Sequence, residues 1–516
     1  MPAYWTSLSH SGVCFPDPYT PAGLSVKVRG RPFQLSPLAE EMALHLAKKK
    51  DTPYIQDPVF RSNFMGDFLL QLPEWARGAS FEQVDFSELY RRVDSERAAK
   101  ESMTKEEKKA AAAERKARRD ALKAKFGVAT LDGKPVDIAN WMVEPPGLFM
   151  GRGQHPLRGR WKPRVTQADV VLNLGEGAAV PPGPWKEVVR DHNSMWMAKW
   201  IDKLTEKEKY VWLHESSPLQ QSRNRAKYDK AAKVGSHLGK IQARIVRELD
   251  SKDPKQRQVA TVCYLINALG MRVGDEKDED EADTVGASTL RVEHVKLDGP
   301  QVEFSFLGKD SVPWNKKDRP PPSVLRNLAE FTSGKSRETE VFHHVSSDLV
   351  NQFLSSIVPG LSAKVFRTYH ATERTEEALR SKDLASADDL DKMYFAKEAN
   401  LKAAEFCNHQ RTPPKTWEQS LQKKEEKLRE AESRSSPNPE RVRKLRMEID
   451  FFRRTKNYNL NTSLKNYIDP RVYKAWCDHV GLDWAKVYSK SLQKKFSWVE
   501  QSKRAWSSGQ PTEGSP

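Results

Sequence analysis

Cysteine is scarce in this chain. Its 516 residues hold four, Cys14, Cys263, Cys407 and Cys477, far apart and without a CxxC or Cys/His cluster. That spacing excludes a disulfide framework and a zinc finger, and it fits a reducing compartment. Long apolar runs are missing too. The longest, near 261–271, falls well short of the ~20 residues a membrane helix needs, so no span is expected. The opening Met-Pro-Ala-Tyr-Trp has neither the apolar core of a signal peptide nor the Arg-rich character of a transit peptide. There is no internal repeat and no Walker-type nucleotide loop. Acidic residues fall short of basic ones, 70 against 86, leaving a formal charge of +16. That surplus favours a polyanionic partner, nucleic acid before an acidic membrane surface. Charge alone does not separate an enzyme from a passive binder.

Against those absences stands a composition that folds. The chain carries 14 Trp, 20 Phe and 13 Tyr, which argues against a disordered chain despite a mean hydropathy of −0.74. At ~150 residues per domain the length predicts two to four domains. The first 90 or so residues mix Pro, Gly and aromatics with short amphipathic pieces such as 38–46. Residues 100–125, with ten Lys/Arg and five Asp/Glu around the alanines at 110–113, predict one exposed helix. Within it, 115–119 reads as a solvated helix face or as a nuclear-import signal. Residues 144–153 read as a loop.

Further on, Val259, Val262, Ile266 and Leu269 predict a core-facing helix running out near Gly270. The run 290–297, the turn Asp298-Gly299-Pro300 and the alternating Val302, Phe304 and Phe306 predict a β-hairpin, followed after the turn at 308–311 by another extended run. Helices are expected at 362–367 and before Pro413. Residues 417–456, with twelve Lys/Arg against eight Asp/Glu and Val442, Leu445, Ile449 and Phe452 at coiled-coil spacing, predict an antiparallel helical hairpin broken at 435–439. A small helical domain and a Gly/Ser/Pro tail, expected to be disordered, close the chain.

Taken singly, the chemically interesting residues are ambiguous. Arg272 precedes the acidic run 275–283, where a helix-terminal arginine neutralising carboxylates is the plain reading. That run lacks the glycine and the ligand spacing of a calcium loop. Lys309, on a turn, is either a solubilising lysine or a long cation projected into a groove for phosphate chemistry. Arg367 sits among apolar neighbours and needs an anionic partner, a carboxylate or a phosphate. His409 reads as a structural hydrogen-bonder at a helix end, and Tyr467 as a packing tyrosine.

In order along the chain, six phrases change that. They are 144–153 (EPPGLFMGRG), 283–294 (DTVGASTLRVEH), 306–311 (FLGKDS), 363–369 (AKVFRTY), 407–415 (CNHQRTPPK) and 466–470 (NYIDP), with Ala475-Trp476-Cys477 beyond. Together they resemble the eukaryotic type IB DNA topoisomerases over about residues 13–499. The resemblance implies that Tyr467 is the nucleophile, forming a 3′-phosphotyrosyl link. Arg272 and Arg367 then grip the non-bridging phosphate oxygens, His409 donates a hydrogen bond to one of them, and Lys309 acts as general acid to the departing 5′-oxygen. It places Arg152, Asp310 and Asn466 beside the cleaved step, where camptothecin-class inhibitors intercalate. It implies no metal and no cofactor, because cationic side chains do what Mg²⁺ does elsewhere. The expected partner is double-stranded DNA, with no membrane, and the expected state is a monomer in the nucleus, with an organelle left open.

The fold implied is α+β and multidomain. It is a bilobed DNA clamp with a mixed α/β cap lobe, a mainly helical catalytic lobe carrying a β-hairpin, an antiparallel coiled-coil linker and a small helical C-terminal domain. The expected bounds are 1–222 for the cap-like DNA-binding core (about 19–107 a subdomain insertion), 223–411 for the catalytic core, 412–457 for the linker, 458–505 for the C-terminal domain and 506–516 for the tail. The pattern departs from the family at Lys465, one place from its usual position before the nucleophile, at Met150, where relatives often have Arg, and in a shorter linker. Two other readings stand beside it: a tyrosine site-specific recombinase, which uses a similar Arg/Lys/His/Arg/Tyr set, and a non-enzymatic basic DNA-binding architectural protein.

Overall fold

The first part of the chain mixes short strands with helices, and helices make up most of the rest. The computed structural model describes residues 3–274, 284–502, 504 and 506, and the backbone alone at Asp310. The acidic run 275–283 and the expected tail beyond residue 506 lie outside the described residues. The chain divides after Gln220 into two units.

In chain order the first unit holds β1 (Leu8–His10), β2 (Ser25–Val28), β3 (Arg31–Gln34), α1 (Pro37–Ala47), α2 (Pro58–Leu69), β4 (Val84–Asp85), α3 (Ser87–Ser102) and α4 (Lys105–Phe126). These are followed by β5 (Val128–Leu131), β6 (Lys134–Asp137), β7 (Gly147–Leu148), β8 (Trp161–Lys162), β9 (Val171–Asn173), β10 (Glu187–Val189), β11 (Trp196–Ile201) and β12 (Glu208–Trp212). The strands form four small sheets, β1-β5-β6, β3-β2-β4, β7-β8 and β10-β9-β11-β12. One core gathers Phe60, Phe64, Phe68 and Phe86 under α1 and α2, and a second gathers Trp5, Leu131, Trp141 and Leu172. The single helix expected over 100–125 is two. Thr104 interrupts it, accepting from the Glu107 backbone N–H while the Glu107 carboxylate accepts from its own. That reciprocal cap starts α4 afresh and stabilises it by roughly 1 kcal/mol. No residue of α4 is buried. Only two residues of the expected loop 144–153 are extended, pairing with β8.

The second unit is built on α5 (Pro218–Leu249), which begins just before the division, and α6 (Pro254–Leu269). Then come β13 (Val295–Asp298), β14 (Gln301–Gly308), β15 (Val312–Asp318), α7 (Pro322–Thr332), α8 (Ser347–Ile357), α9 (Ala363–Arg380), α10 (Asp389–Phe406), α11 (Trp417–Glu432), α12 (Pro439–Arg454), α13 (Leu460–Asn466), α14 (Pro470–Val480) and α15 (Lys490–Lys495). The protein is therefore mixed α/β and multidomain, as expected. Among the described residues no helix is long and apolar enough to cross a membrane.

Asp253 caps α6, with Pro254 at its first turn, and Gly270 ends it in the left-handed conformation at φ 68°. A Cβ at Gly270 would stand 2.9 Å from the Phe406 carbonyl oxygen, so the two helix ends abut too closely for any other residue. The hairpin starts at Val295 rather than 290, because Val292–His294 form a 3₁₀ turn, and β15 pairs with β14 to make three strands. The helix expected at 362–367 continues to Arg380. Its second half is disguised by charge, yet Ala371, Thr375 and Leu379 recur every fourth residue on a buried face.

Helices α11 and α12 pair antiparallel. Glu418 meets Lys456 at 3.0 Å, Glu425 meets Arg453 at 2.6 Å and Glu432 meets Arg446 at 2.8 Å, one number rising as the other falls. Trp417 stacks on Phe452 with an interplanar angle of 3°. Arg443 of α12 also reaches Asp388 and Asp391 at the start of α10.

Candidate active site around Tyr467

Tyr467 follows the last turn of α13, its N–H donating to the Ser463 carbonyl at 2.9 Å. Ser463 is buried and donates to Asn400 of α10 at 2.7 Å. The Tyr467 carbonyl accepts from the Thr372 hydroxyl of α9 at 3.2 Å, and that hydroxyl accepts from the Asp469 N–H at 3.0 Å. Lys227 of α5 donates to the Asn466 carbonyl at 2.9 Å and Lys495 of α15 to the Lys465 carbonyl at 3.0 Å. Cations at the last carbonyls of a helix complement both its unpaired acceptors and its dipole. The tyrosine backbone is thus fixed from α5, α9, α10 and α15.

Around its ring the fold assembles cations. Arg272 lies two residues beyond Gly270 and donates from Nη1 to the Tyr467 hydroxyl at 3.2 Å. The Arg367 guanidinium of α9 stands 5.1 Å over the phenol ring. Its Nη2 donates to the Cys407 carbonyl at 2.6 Å, while Nε and Nη1 have no partner among the described residues. His409 follows α10 by three residues and sets its ring 4.8 Å from that of Tyr467, with both ring nitrogens buried and without a partner among the described residues. Tyr467 and Arg367 are 8% and 4% exposed, so these groups are withdrawn from solvent. Lys309 sits exposed on the 3₁₀ turn between β14 and β15. With Arg272, Arg367 and Tyr467 it lines a cleft of about 380 Å³, and with His409 a smaller neighbouring one. Among the described residues no Asp or Glu lines either.

The charges act on one another. Burial raises the Tyr467 phenol, but the Arg367 and Arg272 guanidiniums outweigh it and hold the group below the ordinary phenol range. Burial, then Arg367 and Arg272, pushes His409 down to about 3, so its imidazole is neutral at pH 7 with one N–H to donate. Burial and Arg367 also lower Arg272, which keeps its charge as guanidiniums do. The Cys407 thiol is pushed up by burial and behaves as packing. Unpaired buried cations cost several kcal/mol, a cost removed when an anion enters. A phenol with lowered pKa beside empty donors is suited to attack on a phosphate.

The structure thus brings together Tyr467, Arg272, Arg367, His409 and Lys309. Asn466 is exposed beside Tyr467, and the backbone of Asp310 stands in the Lys309 turn, its side chain lying outside the described residues. Arg152 belongs to the first unit, exposed on the loop after β7 between two left-handed glycines. Sequence reasoning missed Thr372, Lys227 and Lys495, which act on backbone and leave no pattern. It also missed Lys316, for which strand alternation was a usable signal.

The family described as eukaryotic DNA topoisomerase I, DNA binding fragment, matches residues 3–213, that described as eukaryotic DNA topoisomerase I, catalytic core, matches 216–442, and the C-terminal topoisomerase domain matches 439–508. DNA topoisomerase 1 beta of Arabidopsis thaliana is 36% identical, covering 96% of this chain and 58% of its own length. DNA topoisomerase 1 of Drosophila melanogaster is 34% identical over 96% and 54%, and that of Homo sapiens 33% over 96% and 70%. The chain therefore spans little more than half the length of the plant and fly relatives. A tyrosine ringed by two arginines and a histidine, in a chain similar from end to end to these relatives, leaves one conclusion: the chain belongs to the eukaryotic DNA topoisomerase I family.

Proposed function

We propose that the chain is a type IB DNA topoisomerase, relaxing positive and negative supercoils by breaking one strand of a duplex and rejoining it. The observation that carries this reading is the buried phenol of Tyr467, with Arg272 on its oxygen and unpartnered nitrogens of Arg367 and His409 beside it. Tyr467 attacks a backbone phosphorus. The bond from phosphorus to its oxygen forms as the bond to the 5′-oxygen breaks, leaving a 3′-phosphotyrosyl link and a 5′-hydroxyl. The phenol proton is lost to solvent, and Lys309 gives a proton to the departing oxygen. Arg272 and Arg367 hold the non-bridging oxygens, where two-pronged, permanently charged donors meet the charge that grows in the five-coordinate transition state. His409 adds one hydrogen bond. Rejoining reverses these steps, and because one phosphodiester is exchanged for another it needs no ATP. While the strand is open, torsion rotates the free end.

The first unit is the cap-like part of a DNA clamp in this reading, 1–222 with an insertion at 19–107. Residues 223–411 are the catalytic core, α11 and α12 the coiled-coil linker at 412–457, and 458–505 the C-terminal domain. Arg152, Asp310 and Asn466 flank the cleaved step and the camptothecin-class site. The protein works as a monomer in the nucleus.

The test is relaxation of supercoiled plasmid with chelator present and ATP absent, together with denaturant trapping on end-labelled DNA. Wild type should relax the plasmid and be trapped on the 3′ side of the break. Tyr467→Phe should bind DNA within about threefold of wild type and give neither result. Adduct on another residue, or relaxation by Tyr467→Phe, overturns the reading. Site-specific exchange would instead indicate a recombinase, and binding without any adduct an architectural protein.

A further inference from the structure

Lys316 stands where the strand pattern calls for an apolar residue. In the register of β14 and β15, Trp314 lies opposite Phe306, Lys316 opposite Phe304 and Asp318 opposite Val302. Val302, Phe304, Phe306 and Trp314 are all buried, whereas Pro313, Asn315 and Lys317 on the other face are exposed. A lysine on the inward face must find acceptors or leave its ammonium unsatisfied. Lys316 finds them in main chain: Nζ donates to the Leu269 carbonyl at 2.9 Å and to the Phe406 carbonyl at 2.8 Å. The ammonium also lies 5.3 Å from the ring centroids of Trp314 and of Phe406.

These two carbonyls hold equivalent places. Leu269 is the last residue of α6 and Phe406 the last of α10. Three residues beyond the first stands Arg272, and three beyond the second stands His409. A helix end presents unpaired carbonyls at the negative end of its dipole, and one ammonium here serves two such ends at once. The close approach of Gly270 to Phe406 shows that the ends are already in contact. Burial above all, with Arg367 and Arg374 adding to it, pushes Lys316 down to about 8, and the two carbonyls offset part of the cost of burying the ammonium.

We propose that Lys316 is a positioning residue: by tying the end of α6 to the end of α10 it sets the separation of Arg272 and His409 around the Tyr467 hydroxyl. This rests on the strand-cleavage reading above. Lys316 lies on β15, the strand that follows the Lys309 turn, and acts through the phosphate-binding groups, not on the leaving group.

That difference supplies the test. Single-turnover cleavage by Lys316→Met, which keeps an apolar stem and loses the donor, is measured on an ordinary duplex and on one with sulfur at the bridging 5′ position. A thiolate departs without a proton, so the sulfur substrate relieves a defect in leaving-group protonation and no other. Lys316→Met should be slower by about 10–100-fold on both substrates alike, as expected for catalytic groups displaced by about 1 Å, with DNA affinity within about threefold of wild type. Lys309→Ala should be slow on oxygen and relieved on sulfur. Lys316→Arg, whose fork can donate to both carbonyls, should recover most of the rate. If Lys316→Met does not fold, Lys316→Gln, which can keep one of the two bonds, must show the same equal slowing. Wild-type rates in the variant that folds, relief by sulfur, or a rate loss matched by lost DNA affinity would each overturn the assignment. A wild-type protein that cleaves neither substrate removes the strand-cleavage reading and this one with it. A wild type that cleaves, beside a variant that cleaves equally well, removes this one alone.

Discussion

A histidine buried against two guanidiniums stays neutral, and the consequence can be measured. His409 has a folded-state pKa near 3 against 6.5 for the ordinary ring. As the pH falls below 6.5 the unfolded chain takes up a proton that the folded chain refuses. Stability from this group is therefore complete above pH 6.5 and is lost progressively between 6.5 and 3. From pH 7 to pH 5 the loss is about 2 kcal/mol. His409→Gln, neutral throughout, should not suffer it. In urea denaturation its stability relative to wild type should improve by about 2 kcal/mol over that interval. An unchanged difference would mean that the folded ring carries a charge. At this scale the sequence was partly legible. Arg367 could be read as buried and short of an anion from its apolar neighbours alone, and the unpartnered Nε and Nη1 are that missing anion seen in structure. For Tyr467 and His409 local sequence favoured structural roles, because what distinguishes them is each other's proximity across 58 residues of chain.

Among the elements, α6 and β14 were legible because each has a single buried face with clean periodicity, 3.6 in one and 2 in the other. The break before α4 was written in Thr104 and Glu107 but hidden by uniformly good helix formers on both sides. The length of α9 was hidden by its charged outer face. Gly270 shows how an element boundary governs the site. Gly270→Ala puts a β-carbon at φ 68° and 2.9 Å from the Phe406 carbonyl oxygen. It should lower stability by about 1–3 kcal/mol and, because Arg272 lies two residues on, reduce the trapped Tyr467 adduct by roughly tenfold or more. Denaturation and adduct gels read the two effects separately. Full adduct yield in a destabilised protein would mean that Arg272 is placed independently of the helix end.

Over the whole molecule the relevant quantity is the charge of +16, distributed along exposed elements such as α4, which buries none of its residues. The proposed DNA partner should then be held largely by phosphate neutralisation. Affinity measured by fluorescence anisotropy should fall by about 10³-fold or more between 50 and 200 mM salt, with little dependence on sequence. A flat salt response would argue against backbone tracking. Multidomain organisation could be expected from length alone, whereas the division after Gln220 falls inside α5, so no element boundary marks it.

In the proposed reaction the phenol of Tyr467 is the point at which a twisting duplex pulls on the protein. The carbonyls of Lys465, Asn466 and Tyr467 are tethered to Lys495, Lys227 and Thr372, on three different helices. Torque arriving through a single ester oxygen is thus shared out over α15, α5 and α9 before it can unwind the short α13, as guy ropes share the strain on a mast.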